Sequence, residues 1–190
     1  MLRVQDVSLA NGRQISFDVP VGGALALMGR SGSGKSLTLR RIADLDPGEG
    51  IIRLSDVAQS DVPAPVWRRR VALVMSEVAF WKACLLDHAP TAPFEDLGLA
   101  QDRQTCAVAE LSSGERLRGA LALALARQPD VLLLDEPTGP LDPATTARVE
   151  AVLRDYSTAG GILVLTTHDT DQPARLGARE RDMDKLGNGH

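Results

Sequence analysis

The segment Gly29-Arg30-Ser31-Gly32-Ser33-Gly34-Lys35-Ser36 constrains this chain more than any other. It fits the phosphate-loop pattern GxxxxGK[ST] throughout, with the apolar run Ala24 to Met28 before it and a helical spacing from Lys35 to about Ala43 after it. Glycines let the backbone curl so that successive N–H groups face one anion, and a helix starting at Lys35 adds the positive end of its dipole. Lys35 is then placed to reach the β- and γ-phosphates of a nucleotide, and the Ser36 hydroxyl to ligate Mg²⁺, with Leu37 the next residue of the cradle. A glycine-serine linker ahead of a helix is the plain alternative, and the flanking strand and helix argue against it.

Around this loop, strand and helix patterns alternate. Val4 to Leu9, Ile15 to Val19, Ala24 to Met28, Ile51 to Leu54, Val71 to Met75, Val131 to Leu134 and Ile162 to Thr166 read as strands. Lys35 to Ala43, Ser113 to Arg127, Pro143 to Tyr156 and Asp171 to Leu176 read as helices, with Leu39 and Ile42 on the inward side of the first. Fully apolar strands alternating with helices predict an α/β fold whose mostly parallel sheet is covered on both faces. Ser76 to Glu110 has no long amphipathic pattern, and the charged tail from Gly177 to His190 is expected to fray.

Composition excludes several roles. A length of 190 residues points to one compact domain, at most two subdomains sharing a core, and the net charge of −4 opposes a surface built to neutralise nucleic-acid phosphates. Aromatic residues at 3% leave little for base stacking. The apolar run Gly119 to Ala126 is too short to span a bilayer, and the first ten residues lack a secretory pattern. Cys84 and Cys106 stand apart without metal-ligand spacing, as reduced cytoplasmic thiols would.

Val131-Leu132-Leu133-Leu134-Asp135-Glu136 places two acids at the carboxyl end of a buried strand, the edge at which open α/β sheets bind ligands. Asp135 is placed to hold Mg²⁺ through its hydration shell, and Glu136 to orient or deprotonate an attacking water. A solvated strand end before the turn Pro137-Thr138-Gly139 is the alternative, weakened by the complete phosphate loop upstream. Leu111-Ser112-Ser113-Gly114-Glu115 then opens a helix, with Ser112 as its cap and Glu115 as the capping-box partner.

Taken in order, these segments resemble the ATP-binding cassette (ABC) ATPases. Leu111 to Glu115 resembles the family signature LSGGQ, Pro140-Leu141-Asp142 its D-loop, and Thr166-Thr167-His168-Asp169 its switch-histidine segment. The resemblance runs from Val4 to Leu176 and is loose between Pro63 and Glu110. It implies a P-loop NTPase core with a small antiparallel β subdomain and a shortened helical subdomain at about 77–127, all within an ATP-binding domain of residues 1–176. It also implies that ATP and Mg²⁺ are the cofactors, that Glu136, His168 and Lys35 are catalytic, and that Ser36 and Asp135 hold the metal. The signature would act on ATP held by a second cassette, and Asp142 would couple the two sites.

The function so implied is ATP hydrolysis that powers a membrane transporter. The chain would sit at the inner face of the membrane on an integral membrane permease, pairing as a homodimer or with another cassette, with no nucleic acid involved. A soluble cassette switch and a degenerate, slowly hydrolysing module are the other readings. Ser76, followed by Glu77, stands where the family has a metal-touching glutamine. Ala10-Asn11-Gly12 lacks the aromatic that stacks on adenine in the family, and Ser113 replaces a signature glycine. Loss of a stacking contact worth ~1–3 kcal/mol predicts modest ATP affinity and ready acceptance of GTP.

Overall fold

A computed structural model of the chain describes residues 1–185. Nine strands form two sheets among these residues. β1 (Leu2–Ser8), β2 (Gln14–Val19), β4 (Ile51–Leu54) and β5 (Val57–Ala58) make an antiparallel sheet in the order β2-β1-β4-β5. β3 (Ala24–Met28), β6 (Val71–Val74), β7 (Val131–Asp135), β8 (Ile162–Thr166) and β9 (Arg179–Asp182) make a parallel sheet in the order β6-β7-β8-β3-β9. The helices are α1 (Lys35–Ile42), α2 (Ala64–Arg70), α3 (Gln101–Thr105), α4 (Ser113–Leu125), α5 (Pro143–Thr158) and α6 (Gln172–Leu176).

Alternation along the parallel strands divides the interior in two. Leu25, Leu27, Leu133 and Val164 face Leu39 and Ile42 of α1 and the antiparallel sheet's Leu2, Val4, Ile52 and Leu54. Ala26, Leu132, Leu134 and Leu165 face the opposite layer, with Leu117 and Leu121 of α4, Val149 and Leu153 of α5, and Leu85, Phe94, Leu97 and Leu99. Both faces of these strands are therefore buried, which is why they read as continuous apolar runs. Each fully buried leucine contributes about 1.5–3 kcal/mol to holding the layers together.

Residues 76–100 hold neither strand nor helix. Their order comes from Phe94, Leu97 and Leu99, buried beneath the loop, and from Arg118 Nη1, which donates to the Leu97 and Gly98 carbonyls at 2.9 and 2.8 Å. Gly119 lets Leu85 lie directly on α4, since a Cβ there would come within 2.8 Å of both Leu85 methyls. The segment between β6 and α4 is thus largely a looped lobe pinned to α4, with α3 as its one α-helix.

Three elements depart from expectation. α4 stops at Leu125, two residues before Arg127, and the chain turns through Gln128 at φ 50. α2 stands before β6, where no helix was expected: prolines at its N-terminus start it, and Trp67 buries completely while Arg68, Arg69 and Arg70 form its last turn. The expected fraying of the tail is corrected over Arg179–Lys185. There β9 pairs in parallel with β3, from Leu25↔Arg179 to Met28↔Asp182, and Met183 inserts fully into the core. Backbone pairing and one apolar anchor order a segment whose side chains are charged. Residues 186–190 of the expected tail lie outside the described residues.

Candidate nucleotide site

Parallel pairing brings the active ends of three strands to one edge. Leu27 of β3 and Asp135 of β7 both pair with Thr166 of β8, so the loop leaving β3, the acids ending β7 and the turn leaving β8 converge. The phosphate loop needs its glycines here. Gly29, Gly32 and Gly34 have φ of 141, 79 and 102°, conformations that side chains disfavour.

Gly34 is the N-cap of α1, and no side chain caps that helix. The N-termini of α4 and α5 are both capped, by Ser112 and Asp142. The first-turn amides of Lys35 and Ser36 therefore have no intrahelical carbonyl and no capping side chain, an arrangement suited to a phosphate. Lys35 is almost wholly buried, and its Nζ donates to the Gly29 and Arg30 carbonyls at 2.7 and 3.2 Å. Its ammonium is thereby held over the loop it would serve.

Ser36 Oγ donates to Asp135 Oδ1 at 3.1 Å, and Thr166 Oγ1 donates to the same oxygen at 2.6 Å. A buried carboxylate beside a loop hydroxyl is a hard oxygen donor set of the kind Mg²⁺ prefers, so the residues present fit the ion. Glu136 follows in the left-handed region at φ 52, a strain of roughly 1–3 kcal/mol for a non-glycine residue. Its amide donates to the Thr166 carbonyl at 3.2 Å and to the Thr166 hydroxyl at 3.1 Å, which fixes this turn. The turn aims the side chain across to the β8 end, where Glu136 Oε1 lies 3.2 Å from His168 Nε2. Behind His168, Arg175 bridges Asp169 and buried Glu150 at 2.5 and 2.8 Å, anchoring the segment.

The signature residues form a separate cluster. Ser112 Oγ accepts from the Glu115 amide at 3.2 Å, and Glu115 Oε2 accepts from the Ser112 amide at 2.8 Å, the expected capping box. Arg103 holds Glu115 through two further bonds of 2.7 and 3.1 Å, and these together lower the Glu115 pKa to about 2. A Cβ on Gly114 would come within 2.9 Å of Leu141, so the glycine lets the D-loop lie against the helix start. Asp142 acts locally as the α5 cap: Oδ1 accepts from the amides of Ala144 and Thr145, and Oδ2 from the Thr145 hydroxyl. These hydrogen bonds hold its carboxyl below the usual range.

Several residues at the site belong to no local sequence motif. Asp184 Oδ2 accepts from the Arg30 amide at 2.9 Å, and Arg13 Nη1 donates to the carbonyls of Ser33 and Met183 at 3.2 and 2.5 Å. The β1–β2 turn and the end of β9 therefore brace the loop from two sides. Ser76 is exposed beyond the end of β6. Its neighbours Met75 and Glu77 help line a groove of about 350 Å³, together with Phe80, Trp81, Leu123 and Arg127.

Comparison with known proteins places this geometry in context. Residues 13–139 match the family described as ABC transporter. The chain is 38% identical over 178 residues to the aliphatic sulfonates import ATP-binding protein SsuB 2 of Mesorhizobium japonicum, covering 90% of this chain and 70% of that one. It is 34% identical to the cobalt import ATP-binding protein CbiO of Rhodobacter capsulatus, covering 87% of this chain and 66% of that one. Among solved structures, a dimeric post-hydrolysis state of the ATP-binding cassette MJ0796 bound to ADP and Pi superposes with a TM-score of 0.79. That match covers 96% of this chain and 94% of the other at 22% identity, and so demonstrates a common fold.

Proposed function

The chain belongs to the ABC transporter family of ATP-binding subunits, and from that premise we propose how its own residues bind and hydrolyse ATP. As a member of that family it is an ATPase that works with a membrane transporter. The amides of the loop Gly29–Ser36, with Lys35, would cradle the phosphates of ATP, Leu37 following as α1 begins. Ser36 and Asp135 would hold Mg²⁺, which when bound neutralises charge on the phosphate oxygens. Glu136 would orient the attacking water and accept its proton, while His168 steadies Glu136 and the terminal phosphate.

The observation that carries this reading is the 3.1 Å bond between Ser36 Oγ and Asp135 Oδ1, beside a helix N-terminus left uncapped. Loop hydroxyl, strand carboxylate and open amides meet at one point, as a metal-nucleotide site requires. The test is steady-state ATP turnover in the presence of Mg²⁺, compared with Lys35→Ala and Glu136→Gln. Both variants should lose turnover, the first through binding and the second through chemistry.

The N-terminus of α4 would complete the ATP site of a second cassette, Ser113 and Gly114 offering their amides, Ser112 and Glu115 holding the helix start through the capping box, and Leu111 burying beneath them. The D-loop through Asp142 packs on that helix start and would join the same interface. No helix among the described residues is long and apolar enough to cross a membrane, so a permease subunit would supply the pathway. A cytoplasmic segment of that permease would dock in the groove at Trp81, whose side chain stands 72% exposed beside apolar walls. The chain would then work peripherally at the inner face of the membrane.

A further inference from the structure

Thr166 is fully buried at the end of β8, the strand lying between the loop-bearing β3 and the carboxylate-bearing β7. Its hydroxyl is used twice: it donates to Asp135 Oδ1 at 2.6 Å and accepts from the Glu136 amide at 3.1 Å. We propose that Thr166 is a positioning residue for ATP hydrolysis, setting Asp135 and Glu136 together through this one hydroxyl. The proposal rests on the roles assigned to those two acids above.

The hydroxyl does something at each acid that the backbone alone does not. At Asp135 it is the shorter of two hydroxyl bonds to a single carboxylate oxygen, the other coming from Ser36 at 3.1 Å. A hydrogen bond to an ionised acceptor is short and strong, and here it fixes the rotation of the carboxylate. With both hydroxyls on Oδ1, no side chain among the described residues donates to Oδ2. That oxygen is thereby kept open for a cation. Ser36 belongs to the phosphate loop and has its own part to play toward metal and nucleotide, whereas Thr166 faces only the two acids.

At Glu136 the hydroxyl shares the amide with the Thr166 carbonyl, a bond of 3.2 Å. The shared bond holds a residue at φ 52 in a conformation it otherwise disfavours, and that conformation carries its carboxylate to within 3.2 Å of His168. Metal-side and water-side acids are thus set by the same oxygen. Partners that orient the groups around a metal are typically worth 10–100-fold in affinity or activity.

The experiment compares Thr166→Val, which keeps shape but loses the hydroxyl, with Thr166→Ser, which restores it. The measurements are kcat and KM for ATP, the Mg²⁺ concentration that half-saturates nucleotide binding without turnover, and the thermal transition. The valine variant should lose about 10–100-fold in kcat with little change in KM, and need about tenfold more Mg²⁺. The serine variant should return both to within about threefold of the parent, a rescue that packing alone does not provide. An active parent with an unaffected valine variant, or a serine variant as impaired as valine, overturns the positioning role alone. A parent without turnover overturns the reading of the acids and this role with it. Should valine lose the folded transition, Thr166→Ala compared with serine gives the same two outcomes.

Discussion

Glu136 Oε1 lies 3.2 Å from His168 Nε2, a contact made across the ends of two neighbouring parallel strands. Neither side chain is buried, so the contact needs no desolvation and leaves both groups reachable by water and phosphate. Replacing Glu136 by glutamine keeps size and removes the proton acceptor. Turnover should fall by about 10²–10⁴-fold, while ATP binding in a titration stays near the parent value. With ATP bound and not hydrolysed, the variant should also elute as a dimer in size-exclusion chromatography, and persistent monomer would count against pairing through the signature helix.

The capping box of α4 carries a pH signature. Arg103 and the Ser112 amide and hydroxyl lower the Glu115 pKa from 4.5 to about 2. A carboxyl whose folded-state pKa is depressed stabilises the fold above its unfolded pKa and loses that contribution as pH falls through the folded one. Arg103→Ala should therefore lower the thermal midpoint at pH 6 to 7. The gap from the parent should close between about pH 4.5 and 2; a gap independent of pH would contradict the ion pair as its source.

Base selectivity should be weak. The turn between β1 and β2 offers Ala10, Asn11 and Gly12, with no aromatic face for a purine. Asn11 instead leans over the loop, its Nδ2 about 3.0 Å from where a Cβ on Gly34 would stand. GTP should displace a fluorescent ATP analogue within a few-fold of the concentration at which ATP does. Ala10→Tyr should favour ATP by adding a stacking contact of about 1–3 kcal/mol. Strong adenine preference in the parent would refute the argument.

Trp67 is the largest side chain sealed between α1 and the antiparallel sheet, with no exposed surface, and its Nε1 donates to the Ile42 carbonyl at 2.8 Å. Trp67→Ala removes that volume and one of two side-chain hydrogen bonds to this carbonyl, the other coming from Gln59 Nε2 at 3.2 Å. Urea unfolding should show a loss of about 3–5 kcal/mol. A loss under 1 kcal/mol would mean that α2 contributes little to the core.

What the sequence discloses follows from range. The phosphate loop, the capping box Ser112–Glu115 and the apolar strands are local patterns, and each is found where its pattern places it. The strand pairing that lets Thr166 reach Asp135 and Glu136 is decided by the order of the sheet, which no local window encodes. Asp184 on the Arg30 amide and Arg103 on Glu115 were hidden for the same reason. β9 was hidden differently: Arg179-Glu180-Arg181-Asp182 has the composition of a solvated tail, and only pairing with β3 and the burial of Met183 make it a strand. In α2, three consecutive arginines masked the one buried tryptophan that docks the helix.

ATP turnover by this chain requires the loop at the head of α1 to grip a nucleoside triphosphate. The most direct measurement is a calorimetric titration of ATP with Mg²⁺ into the parent chain and into Lys35→Ala. The parent should bind saturably, and removal of the buried ammonium should weaken binding by at least tenfold with the thermal transition retained. Equal affinity in the two proteins, or no binding by the folded parent, would contradict it.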